Sequence, residues 1–206
     1  MLLKICGITD PDIAQHCLEL GADMIGLVYY PPSPRHVGIQ TIQNILDAVE
    51  PFRQRGRKTV LVVVNSLPAE IDRCIDFVQL HGTLEPSHLS SSKIRVVKDR
   101  QTFDRLIEFP DEPMNTDQPV EFVLEMSHGI LPGGNGATWD WSLAEPFCRR
   151  YKTLLAGGIS PDNICEAIEQ AKPAGIDVSS GVETSPGVKD YQKIERLIRK
   201  LKRYTV

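Results

Sequence analysis

The sequence predicts a single-domain α/β protein, a closed (β/α)8 TIM barrel spanning residues 1–206. Three observations carry this expectation. Eight short β-rich runs alternate with helical segments along the chain. Some of these runs, such as Val60-Leu61-Val62-Val63-Val64, are continuously apolar, as parallel strands covered on both faces are. No break in composition interrupts the 206 residues, a length at the short end for this fold yet enough to bury a substantial core. A flavodoxin-like open sheet with extra strands is the alternative architecture, but eight β/α units in one chain favour closure.

The expected strands are Leu2–Ile8, Met24–Tyr30, Thr59–Val64, Phe77–His81, Lys93–Lys98, Glu121–Met126, Thr153–Ala156 and Gly175–Ser179. Thr9-Asp10-Pro11 should open the first helix, with a capping carboxylate and proline in the first turn. Ile42, Ile45, Leu46 and Val49 form the buried stripe of the next. The run Phe109-Pro110-Asp111-Glu112-Pro113-Met114-Asn115-Thr116-Asp117-Gln118-Pro119 reads as a polar, proline-rich surface loop inside the domain. Ser160-Pro161-Asp162 repeats the helix-start pattern. In the last helix Ile194, Leu197, Ile198 and Leu201 recur at i, i+3, i+4 and i+7. The cations of Arg199-Lys200-Leu201-Lys202-Arg203 are then its solvated face, complementing its C-terminal dipole.

A net charge of −4 argues against nucleic acid as a partner. Five cysteines, Cys6, Cys17, Cys74, Cys148 and Cys165, are scattered without a C-x-x-C pair. This pattern fits a reducing cytoplasm and points away from a disulfide framework or zinc site. With no charged-then-apolar leader and no apolar run of membrane length, the expectation is a soluble cytoplasmic protein with no membrane partner.

Two strand ends break into small residues, Leu154-Leu155-Ala156-Gly157-Gly158-Ile159-Ser160 and Ile176-Asp177-Val178-Ser179-Ser180-Gly181-Val182-Glu183. Small residues let backbone N–H groups approach an anion, and the helix end that follows adds positive potential. In barrels of this class the loops after strands seven and eight commonly hold a substrate phosphate. The partner expected is therefore a phosphorylated small molecule, bound by Gly157, Gly158, Ser179 and Ser180. The other strand ends supply Cys6, Tyr29 and Tyr30 followed by Arg35, then Asn65, His81, Lys98, Glu125 and Asp177. No set of His, Asp and Glu has metal spacing, the pair His81 and Glu125 being at most a weak site, so no metal is expected.

These residues carry a resemblance. Lys4-Ile5-Cys6-Gly7-Ile8-Thr9 resembles the opening motif of the phosphoribosylanthranilate isomerases, barrel enzymes of tryptophan biosynthesis. Further matches follow in order over nearly the whole chain. They are Ser33-Pro34-Arg35-His36-Val37, Val78-Gln79-Leu80-His81-Gly82, Gly133-Gly134-Asn135-Gly136 running into Trp139-Asp140-Trp141, and Asp177 to Glu183 with Pro186-Gly187 and Lys189-Asp190 behind. The resemblance implies a cofactor-free Amadori rearrangement of N-(5′-phosphoribosyl)anthranilate to the 1-deoxyribulose 5-phosphate product. A general acid opens the ribose ring to a Schiff base, and a general base removes the C2′ proton.

By this resemblance Cys6 is the base, and nearby positive charge or hydrogen bonding should help its thiol ionise. Read alone, it would be a small buried hydrophobe. Arg35 would bind the anthranilate carboxylate, which a planar guanidinium clamps through two hydrogen bonds. His81 would line the substrate site, or else serve only as a hydrogen-bonded strand end. Asp177 would meet the sugar, or else hold a neighbouring loop. Trp139 and Trp141 read as packing residues at a helix start, and the glycine-rich loop as a mobile segment near the substrate.

The family's general acid is an aspartate after strand six, where this chain has Glu125. Asn135 replaces the usual Ser or Thr, His36 a common tyrosine and Tyr30 a frequent phenylalanine. Glu125 is taken as the acid, with His128 as a substitute and weakened or changed activity as the remaining readings. Other classes are a Schiff-base aldolase built on Lys98, the indole-3-glycerol phosphate synthase of the same pathway, and a non-catalytic phospho-ligand-binding barrel. Lys4 sits early in its strand and faces the interior. Asn65-Ser66-Leu67-Pro68 lacks the glycine-rich character of a second phosphate site, so a single substrate is expected. A monomer and a homodimer both fit.

Overall fold

The computed structural model describes residues 1–64, 66–81, 92–108, 118–126 and 138–204. Eight parallel strands hydrogen-bond in chain order and close: β1 (Leu2–Cys6), β2 (Met24–Tyr29), β3 (Lys58–Val63), β4 (Phe77–Leu80), β5 (Ser92–Val97), β6 (Phe122–Leu124), β7 (Thr153–Leu155) and β8 (Gly175–Val178). β1 pairs with both β2 and β8, which rules out the open sheet. Each expected run overlaps one barrel strand, with β3 and β5 starting one residue earlier than expected. Several strands stop short of their expected ends; β1 ends at Cys6 because Gly7, at φ 76°, turns the chain out of the sheet.

The helices are α1 (Pro11–Leu20), α2 (Ile39–Arg53), α3 (Ala69–Asp72), α4 (Arg100–Glu108), α5 (Glu145–Arg150), α6 (Ile164–Ala171) and α7 (Tyr191–Tyr204). Asp10 caps α1 as expected, its carboxylate accepting from Asp12 N at 2.8 Å and Ile13 N at 3.2 Å. The stripes of α2 and α7 are buried, while Arg199, Lys202 and Arg203 are exposed. Ser160-Pro161-Asp162 opens a turn, with Ile164 N donating to Ser160 O at 3.1 Å, and α6 itself begins at Ile164 behind Asn163. The Ser160 side chain thus caps the turn rather than the helix, accepting from Asp162 N at 3.2 Å.

Side chains alternate between two cores, as the period of a strand requires. Outward residues such as Ile5, Ile25, Leu27 and Leu61 pack beneath the helices. Inward residues, among them Met24, Val60, Phe77, Ile94, Val123 and Leu154, fill the barrel. At the N-terminal face Asp76, just before β4, accepts from Thr59 N at 2.9 Å, Thr59 Oγ1 at 2.7 Å, Arg53 Nε at 3.2 Å and Lys58 Nζ at 3.3 Å. That carboxylate ties α2, β3 and β4 together.

One element has no counterpart in the sequence reading. Between β8 and α7 the chain forms a 3-10 turn, Ser180–Val182, and a small antiparallel hairpin of β9 (Glu183–Ser185) and β10 (Val188–Lys189). Gly187, at its tip with φ 86°, leaves no room for a Cβ, which would lie 2.5 Å from Pro34 O. The hairpin therefore rests on the β2–α2 loop.

Candidate active site

The C-terminal ends of the strands surround a cleft of about 770 Å³, partly open to solvent. Cys6 ends β1, Arg35 lies in the β2–α2 loop, His81 follows β4 and Glu125 follows β6. Gly157 and Gly158 follow β7, Asp177 lies in β8, and Ser179 and Ser180 follow it. All nine sequence-predicted residues line this one cleft. They come from strand ends dispersed over the chain, which barrel closure brings to one face.

Beneath Cys6 lies a polar network inside the otherwise apolar barrel. Lys4 is fully buried, and its Nζ donates to Asp177 Oδ2 and to Gln79 Oε1, both at 2.9 Å. Because the ammonium can only donate, the Gln79 oxygen must face it, and Gln79 Nε2 then donates to His81 Nε2 at 3.0 Å. In that arrangement His81 Nε2 accepts. Asp177 serves β1 through Lys4 as well as facing the cleft.

Burial pushes the Cys6 thiol above its ordinary pKa, Lys4 pulls it down by charge and hydrogen bond, and Asp177 pushes it up again; the net is upward. Burial likewise works to lower the Lys4 pKa, but Asp177 and Cys6 outweigh it and carry the ammonium above its usual value. The positive charge expected beside Cys6 is present, yet desolvation exceeds it.

A second buried network holds Arg35. Its Nε donates to Glu183 Oε1 at 2.8 Å and its Nη2 to Glu183 Oε2 at 2.7 Å, a two-point clamp. Lys189 Nζ donates to Glu183 Oε1 at 2.7 Å and to Ser179 O at 3.0 Å. Burial disfavours the Glu183 charge, but Arg35 and Lys189 prevail and its carboxyl sits below the usual range. For Lys189 burial prevails over the ion pair, and its pKa is lowered.

The two loops expected to hold a phosphate are built from behind. Gly157 and Gly158 adopt φ 93° and 68°, conformations side chains rarely take. Trp139 Nε1 donates to Ala156 O at 2.9 Å, Trp141 Nε1 to Gly157 O at 3.2 Å and Asn163 Nδ2 to Gly158 O at 3.0 Å. The tryptophans pack as expected, and their indoles also tether the carbonyls of the loop. A Cβ on Gly181 would collide with the Ile159 carbonyl, so the two glycine- and serine-rich loops touch. Ser179 Oγ and Asp177 Oδ1 are buried with no hydrogen-bond partner among the described residues.

Four residues that matter here, Lys4, Gln79, Glu183 and Lys189, received no role from the sequence. Their signals were the strand period, which places Lys4 two residues before Cys6 and Gln79 two before His81 on one face, and the charged pair inside the last matching motif. Lys98 is exposed and does not line the cleft, so it is not the dry lysine a Schiff base needs. Asn65, His128, the loop residues 109–117 and Gly133-Gly134-Asn135-Gly136 lie outside the described residues. Among the described residues no cluster of three or more His, Cys, Asp or Glu is placed to hold a metal ion, and no helix is long and apolar enough to cross a membrane.

Comparison with known proteins gives one consistent result. Residues 3–200 match the family described as N-(5′-phosphoribosyl)anthranilate (PRA) isomerase. The N-(5′-phosphoribosyl)anthranilate isomerase of Desulfatibacillum aliphaticivorans is 40% identical over 202 residues, covering 96% of this chain and 91% of the relative. The crystal structure of phosphoribosyl anthranilate isomerase from Thermotoga maritima superposes with a TM-score of 0.80 at 32% identity, covering 98% of this chain and all of the other. A further isomerase structure, in complex with reduced 1-(o-carboxyphenylamino)-1-deoxyribulose 5-phosphate, gives a TM-score of 0.75 at 32% identity over 98% of this chain and all of the other.

Proposed function

The chain belongs to the N-(5′-phosphoribosyl)anthranilate isomerase family, and we propose that Cys6 and Glu125 are the base and acid with which it works. The protein isomerises N-(5′-phosphoribosyl)anthranilate to 1-(2-carboxyphenylamino)-1-deoxyribulose 5-phosphate, a step of tryptophan biosynthesis. It acts in the cytoplasm. What supports the residue assignment is that Cys6, Glu125 and the binding residues line one cleft whose phosphate side is separately constructed.

The substrate phosphate sits against the backbone of Gly157, Gly158, Ser179 and Ser180, with Ser179 Oγ donating to it. Arg35, held in place by Glu183, binds the anthranilate carboxylate, and His81 lines the sugar side. Asp177 Oδ1, buried without a partner, accepts from a ribose hydroxyl. Glu125 protonates the ring oxygen; the C1′–O bond breaks and the nitrogen lone pair closes the Schiff base. Cys6 as thiolate removes the C2′ proton, and the C–H electrons form the enolamine, which tautomerises to the ketone. Because the acid and base stand on different strands, the ring can open and lose its proton within one bound geometry.

The test is turnover of N-(5′-phosphoribosyl)anthranilate made in situ, followed by the loss of its fluorescence. The parent should turn over and Cys6→Ser should be reduced by at least about 100-fold, the scale of a lost general base. A Cys6→Ser variant as active as the parent would remove the thiol from the mechanism.

A further inference from the structure

Lys4 is a charged side chain sealed where a barrel of this size otherwise packs Met24, Val60, Phe77 and Leu154. Stability alone is a poor reason for it, because a buried ion pair is often no better than well-packed apolar residues of the same volume. Its placement is specific. Lys4 and Asp177 are register partners across β1 and β8, so their side chains meet at one level of the interior. Cys6 follows two residues later on the same face, one layer nearer the cleft. The space in which thiol and lysine stem meet is kept open by Gly26 on β2, where a Cβ would lie 2.7 Å from Cys6 Sγ and 3.1 Å from Lys4 Cε.

We infer that Lys4 is a positioning residue for the reaction: from inside the barrel it fixes Asp177 and Gln79 and supplies the positive charge that makes the Cys6 thiolate attainable. The inference rests on the reading of Cys6 as the base. Lys4 touches no substrate and transfers no proton; it acts through the thiol and the carboxylate above it. Among the described residues, the charges that act most on Cys6 are those of Lys4 on its own strand, Asp177 on β8 and Lys189 on β10, while Arg35, His81 and Glu125 line the same cleft. Those facing Lys4 are Asp177 and Cys6, with Gln79 as a neutral third partner. Their signs oppose one another. Lys4 and Lys189 favour the thiolate, Lys4 the more strongly, whereas burial and Asp177 disfavour it.

The measurement is the pH dependence of iodoacetamide alkylation of Cys6 in the full chain, resolved from the other cysteines by peptide mass spectrometry. Lys4→Met should move the alkylation midpoint up, cutting the rate at a fixed pH below it by about tenfold or more, since one pKa unit is one decade of thiolate. Asp177→Asn should move it down. Nonspecific opening of the site would drag both variants the same way, toward an ordinary thiol, so opposite shifts distinguish the charge from structural damage. If Lys4→Met alone does not fold, Lys4→Met with Asp177→Asn removes both charges together; its midpoint should lie above that of Asp177→Asn alone, because the two differ only in the lysine. A midpoint at or below the parent's in Lys4→Met, or at or below that of Asp177→Asn in the double variant where the single does not fold, overturns the assignment. Turnover is read separately: the expected shifts together with a Cys6→Ser variant as active as the parent would refute the reading of Cys6 as base and leave the lysine's effect on the thiol intact.

Discussion

Glu125 carries a carboxyl group one methylene further from the backbone than the family's aspartate does, and its amide is anchored to Val97 O at 2.9 Å at the mouth of β6. The longer arm alone would displace the proton by about an ångström, a shift that can cost on the order of 100-fold unless the surroundings compensate. Glu125→Gln keeps the shape and removes the proton, so kcat should fall by about 100- to 10,000-fold in the fluorescence assay. Unchanged turnover would exclude Glu125 as the acid. Glu183 poses a different question, because it is the anion between two buried cations, Arg35 and Lys189. Glu183→Gln removes the negative charge that separates them. The cost to stability should be about 3–5 kcal/mol in a urea titration, with KM rising more than kcat falls as Arg35 loses its orientation.

Among the elements, the β9–β10 hairpin was the least legible in the sequence. Its strands are short, and it is seated partly on the distant β2–α2 loop through Gly187 and the Glu183 clamp on Arg35, so no periodic signal marks it. The eight barrel strands were legible because parallel strands buried on both faces leave runs of Val, Leu and Ile that local sequence alone displays. The same period explains the cleft: Cys6, His81 and Glu125 could be read from strand ends, while Lys4 and Gln79 one layer deeper look like ordinary interior positions until closure sets them side by side. At the opposite face Asp76 offers a pH test of an element junction. Burial works against its charge, yet the Thr59 hydrogen bonds together with Arg53 and Lys58 hold its carboxyl below the usual range. Its contribution is therefore complete above about pH 4, the unfolded value, and is lost as pH falls through the lower folded one. The urea midpoint of the parent should drop more steeply below pH 4 than that of Asp76→Asn; parallel curves would show that the carboxylate is not what ties α2 to β3.

For the molecule as a whole, closure makes one cooperative unit of the two chain ends. β1 is held on one side by β2 and on the other by β8, and α7 packs against α1. Unfolding followed by tryptophan fluorescence and by far-UV circular dichroism should give coincident single transitions, whereas separate midpoints would divide the barrel into independent parts. Leu197→Ala, in the fully buried stripe of α7, should lower the stability of that single transition by about 2–5 kcal/mol as seen by both probes. The pairing of β1 with β8 also has a consequence for a chain still on the ribosome. Lys4 and Cys6 are made well before Asp177, Ser179 and Glu183, which emerge only after some 170 further residues, and at ordinary elongation rates that takes on the order of ten seconds. Throughout that interval Lys4 lacks the carboxylate of Asp177, Arg35 lacks the clamp of Glu183 and Cys6 has no Ser179 across the cleft. A nascent or prematurely terminated chain thus carries the proposed base without its surroundings, and the site is whole only when translation has delivered the strand that shuts the ring.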